Sequence, residues 1–329
     1  MFGSGAWGFA LADVLAIKGH ATTLWGRPED HIETLAEERC FPDRLPGCSL
    51  HPDVVATPDL DRAIRAERYI CAIPTAFLRG FLTRIPRDAP GRIWINGGKG
   101  IEQKTLRTPG QIITDSVHPE ATVYSLSGPS HAEELARRMP TSVVLAGSES
   151  DERDELQEEI STDYFRLYTS ADRYGVELAG ALKNVVALAS GICDGLGFGD
   201  NTRGALITRG LAEMTRLGQK LGGRWETFAG LAGMGDLITT CTSEHSRNRQ
   251  VGLRLGQGET LSGILASMTQ IAEGVNTTPA ARDLGAQQEL ELPITEEVYA
   301  VLYEGRQASD AARSLMTRTL KEEATTYAG

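Results

Sequence analysis

The sequence predicts an α/β domain over residues 1–170 followed by an all-helical domain over 171–329. Three observations carry this expectation. The chain opens on a G-x-G-x-x-G turn with a helix behind it. Apolar runs of strand length then alternate with helical stretches to about residue 170, and after Tyr174 the strand signals stop.

The opening turn is Gly3-Ser4-Gly5-Ala6-Trp7-Gly8. In such a motif the first glycine makes the tight turn and the second lets the backbone approach a pyrophosphate. The third lets helix and strand pack closely. Ala10, Leu11, Val14, Leu15 and Ile17 follow at helical spacing, and Gly19 ends that helix. Residues 21–25 read as a second strand. Only Met1 and Phe2 precede Gly3, which leaves about 7 Å of extended chain for the first strand. A central strand has about five or six residues. Either this strand is very short, or the natural protein starts upstream with a short apolar segment; the second is the expectation.

Further strand runs lie at Tyr69–Ile73, Arg92–Asn96, Thr122–Leu126 and Thr141–Ala146. They lead into loops that carry Pro74, Gly97-Gly98-Lys99-Gly100 and Ser127-Gly128-Pro129-Ser130-His131. The pattern predicts a doubly wound parallel sheet of Rossmann type, with ligands at the carboxyl ends of the strands. Taken singly, each loop is more readily read as simple turn chemistry. Lys99 resists that reading, because a cation on a bare glycine loop suits a phosphate or a carboxamide.

Helical stretches follow near 174–194, 203–221, 225–229, 246–256, 260–267, 276–287, 294–304 and 308–325, separated by glycine and proline turn signals. A ligand cleft is expected between the two domains. The net charge of −11 argues against bulk attraction to nucleic acid or to an anionic membrane. Cys40, Cys48, Cys71, Cys193 and Cys241 are odd in number and scattered, which suits reduced thiols in a cytoplasmic protein. No metal site is expected.

Lys183 is the only charge in the apolar helix 178–192. A buried ammonium needs partners, and its pKa tends to fall towards the range of a useful proton donor. The alternative is a lysine that snorkels to water. Asp236 follows the turn Gly233-Met234-Gly235, either as a helix N-cap or as a functional carboxylate. Ser246-Arg247-Asn248 offers a guanidinium fork and neutral hydrogen-bonding groups to phosphate oxygens, or is a solvated helix start.

Taken together, Leu182-Lys183-Asn184-Val185, Asp194–Gly199, Ala205–Met214, Gly233–Asp236, Ser246–Asn248 and Pro293–Glu297 resemble the bacterial NAD(P)-dependent glycerol-3-phosphate dehydrogenases. The resemblance runs over the whole chain apart from the first strand. It implies that Gly3, Gly5 and Gly8 form the nucleotide turn, with Ala6 and Trp7 beside the cofactor. Ala6 stands where that family often has Ser. The resemblance further implies Arg27 at the adenosine end and Lys99 touching both cofactor and substrate. Gly128 and Ser130 fall in a substrate loop, and Ala132 contacts the cofactor. Lys183 is the catalytic proton acceptor. Asp236, Ser246, Arg247 and Asn248 complete the substrate pocket, Arg247 also reaching the cofactor, and Ile271 and Glu273 are cofactor contacts from the helical domain.

The function so implied is reversible hydride transfer between NAD(P)H and dihydroxyacetone phosphate, giving sn-glycerol 3-phosphate for glycerophospholipid synthesis. The cofactor is NADP or NAD. Arg27 stands where a domain that requires NAD usually carries Asp or Glu. NADPH is therefore expected to serve at least as well as NADH, with Glu29 and Asp30 blunting the preference. The partner is a small-molecule substrate, with no nucleic acid and no membrane insertion; a homodimer is left open. The rivals are a hydroxy-acid dehydrogenase, which needs a carboxylate clamp in place of the phosphate clamp, and a nucleotide-responsive binding protein without catalysis.

Overall fold

The computed structural model describes residues 1–268, 270–320 and 322–323. The chain divides into two units, one of Met1–Gly98 with Pro109–Arg173, the other of Lys99–Thr108 with the chain from Tyr174 onward. The segment 99–108 thus interrupts the span expected for the first domain. It groups with the second unit because Ile101 is buried in that unit's core.

The first unit alternates helix and strand: α1 (Ala6–Ile17), β1 (Thr23–Trp25), α2 (Ile32–Glu38), β2 (Val55–Thr57), α3 (Leu60–Ala63), β3 (Arg68–Cys71) and α4 (Thr75–Leu82). It continues with β4 (Ile93–Asn96), α5 (Pro109–Ser116), β5 (Thr122–Ser127), α6 (Ala132–Leu135), β6 (Thr141–Ala146), α7 (Asp151–Ile160) and β7 (Phe165–Ser170). β1 pairs with β2, and β3 to β7 pair in sequence. Phe2 bridges the two ladders, lying parallel to both Trp25 and Cys71.

The first strand is therefore present in minimal form. The Met1 carbonyl accepts from Trp25, the Gly3 amide donates to Trp25, and Phe2 exchanges bonds with Ile70 and Ala72. Counted with Phe2 as strand one, the first six strands take the order 3-2-1-4-5-6. In that order the chain reverses direction across the sheet beside Phe2, and a dinucleotide crevice opens at such a switch point. The Phe2 ring has no exposed surface and touches Trp25, Tyr69, Phe81 and Trp94. Phe2→Ala is expected to destabilise the unit by about 3–5 kcal/mol, the usual cost of emptying such an aromatic site; a chemical melt with an unchanged midpoint would contradict this.

Two details depart from a purely parallel sheet. β6 runs antiparallel to β5, because the link between them holds only the single-turn α6 and makes no full crossover. β2 and β7 had no strand signal. β2 is three residues long, and β7 alternates buried and exposed side chains at the edge of the sheet.

The second unit is helical: α8 (Arg173–Gly195), α9 (Asp200–Lys220), α10 (Trp225–Ala229), a π-helical turn at Leu231–Gly235, α11 (Asp236–Thr242), α12 (Arg247–Gly256), α13 (Leu261–Ser267), α14 (Glu273–Gln287), α15 (Pro293–Tyr303) and α16 (Ala308–Met316). The helix expected over 308–325 ends at Met316; residues 321 and 324–325 of that span lie outside the described residues. α8 is long and apolar enough to cross a membrane, but 94% of its most apolar window is buried inside the protein. It is the central core helix, covered on all sides from Gly175 to Ile192. α12 crosses it backbone to backbone. A Cβ on Gly191 would fall 2.0 Å from the Arg249 carbonyl oxygen, and one on Gly252 would fall 2.1 Å from that of Leu188. Gly195 and Gly256 repeat the contact one turn further on.

Candidate active site

In the first unit the glycine turn has the shape a dinucleotide requires. Gly3 has φ +100°, and a Cβ there would sit 2.8 Å from the Ala72 carbonyl oxygen. A Cβ on Gly8 would sit 1.8 Å from the Gly3 carbonyl oxygen, so only glycine lets α1 approach the turn. Gly5 has nothing within 4 Å of its Cβ position. It also N-caps α1 without a side-chain acceptor. A clear face in front of uncapped helix amides is what a pyrophosphate needs. Ala6 opens α1 and is buried, while Trp7 is half-buried with its indole nitrogen against Gly97. Arg27 is exposed and forms a bidentate pair with Asp30, at 2.9 and 3.0 Å.

The loop after β5 belongs to the same unit. Gly128 has φ +140°, which favours glycine, and the Ser130 hydroxyl donates to its carbonyl at 2.8 Å. Ala132 starts α6 and is buried.

The second unit gathers the remaining residues. Lys183 does not snorkel; it is 5% exposed. Its ammonium donates to Asp236 Oδ1 and, at 2.5 Å, to the Thr240 hydroxyl. Asp236 is 1% exposed and opens α11 with its carboxylate turned inward, where its other oxygen accepts from Lys99 Nζ at 2.6 Å. One buried carboxylate thus holds two ammonium groups. Burial lowers the pKa of Lys183, attraction to Asp236 raises it, and repulsion from Lys99 lowers it again, leaving it at about 8. Burial pushes Asp236 upward, but the two lysines outweigh burial and hold it below its ordinary value. The amine is thereby poised near neutrality, as a proton-transfer group must be.

Ser246 is the N-cap of α12, its Oγ accepting from the Arg249 amide at 3.2 Å, and it is buried rather than solvated. Arg247 is exposed and donates to the Ile271 carbonyl at 3.1 Å. Asn248 is buried; its Nδ2 donates to Asn184 Oδ1 at 2.9 Å and its Oδ1 accepts from the Gly274 amide at 2.8 Å. Through Asn184 the first turn of α12 is tied to the residue beside Lys183. Through Ile271 and Gly274 it is tied to the segment that carries Glu273, the first residue of α14.

Thr240 was missed in the sequence because it falls in a polar stretch that reads as loop. Its signal was the four-residue step from Asp236, which places both side chains on one helix face. Asn184 had no signal of its own beyond its place next to Lys183.

Sequence profiles of the NAD-dependent glycerol-3-phosphate dehydrogenase N-terminus and C-terminus match residues 1–153 and 172–313. A glycerol-3-phosphate dehydrogenase [NAD(P)+] of Citrifermentans bemidjiense is 47% identical over 330 residues, covering 98% of each chain. The crystal structure of glycerol-3-phosphate dehydrogenase from Coxiella burnetii superposes with a TM-score of 0.91 at 37% identity, over 96% of this chain and 98% of that one. The corresponding Saccharomyces cerevisiae structure gives 0.79 at 26% identity, over 95% and 97%. With both halves matched and the likeness running from end to end, the chain belongs to the NAD-dependent glycerol-3-phosphate dehydrogenase family.

Proposed function

We propose that this protein is an NAD(P)-dependent sn-glycerol-3-phosphate dehydrogenase of the cytoplasm, interconverting dihydroxyacetone phosphate and sn-glycerol 3-phosphate and supplying the latter for glycerophospholipid synthesis. The observation that carries the reading is the buried Lys183–Asp236–Lys99 group, tied through Asn184 and Asn248 to the arginine-bearing start of α12. The names of its relatives agree with it. NAD(P)H, when bound, supplies the hydride that reduces the ketone carbon. Gly3, Gly5 and Gly8, with Ala6, Trp7 and Arg27, would hold it on the first unit; Ala132, Ile271 and Glu273 are further proposed contacts.

The chain's own residues handle charge and protons. As the ketone oxygen becomes an alkoxide, Lys183 gives it a proton and Lys99 offsets the developing charge. Asp236 keeps Lys183 oriented, with Thr240 as a second acceptor. Arg247, Ser246 and Asn248 grip the phosphate, with Gly128 and Ser130 as the proposed loop contacts. Binding energy from this remote grip positions a small ketone that offers little else to hold. In the oxidative direction Lys183 is neutral at the start and takes the proton back.

The test is cofactor oxidation with dihydroxyacetone phosphate, run with NADPH and NADH in parallel and repeated with unphosphorylated dihydroxyacetone. Much faster turnover of the phosphorylated ketone is expected, with only slow turnover of dihydroxyacetone at high concentration; equal turnover of both ketones would sink the phosphate grip. Arg247→Lys is expected to lower kcat/KM for the phosphorylated ketone by about 10- to 100-fold, because lysine cannot reproduce the fork. An equal loss with dihydroxyacetone would remove Arg247 from that role. A homodimer is proposed as the assembly, to be checked by sedimentation.

A further inference from the structure

Lys99 stands on a loop whose own residues do little to hold it. Gly97 and Gly98 precede it and Gly100 follows, so its chain neighbours bring no side chain to fix the backbone. Its ammonium nevertheless meets Asp236 Oδ2 at 2.6 Å, with the lysine side chain only 18% exposed. What holds it lies further along. The chain leaves the first unit after Gly98, runs with the helical unit from Lys99 to Thr108, and returns at Pro109. Ile101 and Leu106 are the only apolar side chains in this strap; the rest is polar or charged apart from Gly100. Ile101 is 2% exposed and lies in the core of the helical unit, and Leu106 packs against the same core. Gln103 Nε2 donates to the Asn276 carbonyl of α14 at 3.1 Å. Between these points the strap closes on itself. The Leu106 amide donates to the Glu102 carbonyl at 2.8 Å and the Glu102 amide to the Arg107 carbonyl at 2.9 Å.

We propose that Ile101 is a positioning residue for the reaction: seated in the helical core, its side chain pins the strap 99–108 so that Lys99 reaches Asp236. The inference rests on the proton-transfer reading of Lys183, Asp236 and Lys99, and adds what keeps the third of them in place. Only Gly100 separates Lys99 from this anchor, so the two Cα atoms are at most about 7 Å apart along the chain. A displacement of Ile101 therefore passes almost undiminished to Lys99. Without the isoleucine the strap loses its most deeply buried contact, and Lys99 withdraws from Asp236. Lys183 is then relieved of a neighbouring positive charge. The titratable groups that face Lys183 are Asp236 and Cys241 on α11 and Lys99 on the strap. Burial pushes the Cys241 thiol up to about 12, which leaves it neutral where Lys183 titrates. Lys99 is thus the mobile charge in the group, and Ile101 sets where it stands.

The test is the pH profile of kcat for dihydroxyacetone phosphate reduction, measured on the whole protein at pH values on both sides of about 8. Ile101→Ala is expected to lower kcat by about 10- to 100-fold, the scale of a small misplacement of a catalytic group. Its inflection should move upward, in the same direction as that of Lys99→Met. Placed in the Lys99→Met background, Ile101→Ala should cause no further loss, because the two changes act through one group. Ile264→Ala is the control, since Ile264 is fully buried in the same core on α13. It should lower the melting temperature and leave the inflection in place. If Ile101→Ala lowers kcat by the same factor with and without Lys99, or leaves the inflection where it was, Ile101 serves the core alone and the proposal is overturned. Should the alanine variant not fold, Ile101→Val gives the same comparison with a smaller loss, and the same outcomes decide. If Lys99→Met itself neither slows turnover nor moves the inflection, the reading of Lys99 fails, and the role given to Ile101 fails with it.

Discussion

Lys183→Ala is expected to lower kcat by about 10²–10⁴-fold, the usual share of a positioned proton donor. The affinity for NAD(P)H should hardly change, because the Lys183 ammonium is engaged with Asp236 and Thr240 and is not among the groups proposed to hold the cofactor. The unaltered enzyme should show the same group in its pH dependence. Reduction of dihydroxyacetone phosphate needs the ammonium, so its rate should fall as pH rises through about 8. Oxidation of glycerol 3-phosphate needs the free amine, so its rate should rise through the same value. Lys99→Met should move that inflection upward, since the charge of Lys99 helps to hold the Lys183 amine down. Near-normal turnover in a folded Lys183→Ala variant, or an inflection that does not move in Lys99→Met, would remove Lys183 from the proton path.

Asp236→Asn is expected to cost roughly 3–5 kcal/mol of stability, the range for taking one partner from a buried ion pair. The loss should depend on pH, and the sign follows from the two groups. In the unaltered protein Asp236 lies below its ordinary 3.8, so its stabilisation is present above that value and is lost as pH falls through the lower one. In the variant Lys183 loses the attraction that raised its pKa, so that pKa drops below about 8. Between the lowered value and 10.5 the unfolded chain binds more protons than the folded one, and stability rises with pH. The deficit should therefore be widest from about pH 4 to the variant's own lysine pKa and should narrow as pH approaches 8. Melting both proteins across that range checks it; a deficit independent of pH would mean that shape rather than charge was lost.

Much of the fold was legible because its signals are local. The G-x-G-x-x-G turn, the strand runs at 69–73, 92–96, 122–126 and 141–146, and the helical spacing after Tyr174 each lie within a few residues of one another. What escaped was set by partners far along the chain. β2 exists because Thr23–Trp25 lies beside it, and β7 because it follows β6 along six residues. The turn Leu231–Gly235 reads as a glycine loop, yet it winds as a π-helical turn straight into α11 and swings Asp236 inward. The oddity of Lys183 was visible as one charge in an apolar helix. Its partners were not, since Asp236 lies 53 residues on and Lys99 sits in a segment that leaves its own half of the sequence to join the other unit. Nor does anything local reveal that Asn248 spends its amide on Asn184 and Gly274.

The crossing of α8 and α12 sets a length. Lys183 stands on one helix and the Ser246–Asn248 turn begins the other, and between them the two main chains touch at four glycines with no side chain interposed. Sliding α12 by one residue would move its first turn by about 1.5 Å and drive backbone into backbone at each of those points. The reach from Lys183 to the proposed phosphate grip is therefore gauged in the main chain. A phosphate ester one carbon too short or too long would meet one end of the gauge and miss the other. The main-chain part of that span owes nothing to any rotamer, so drift in the surrounding core can alter how firmly the helices are held but not the distance between the two backbones that carry these side chains.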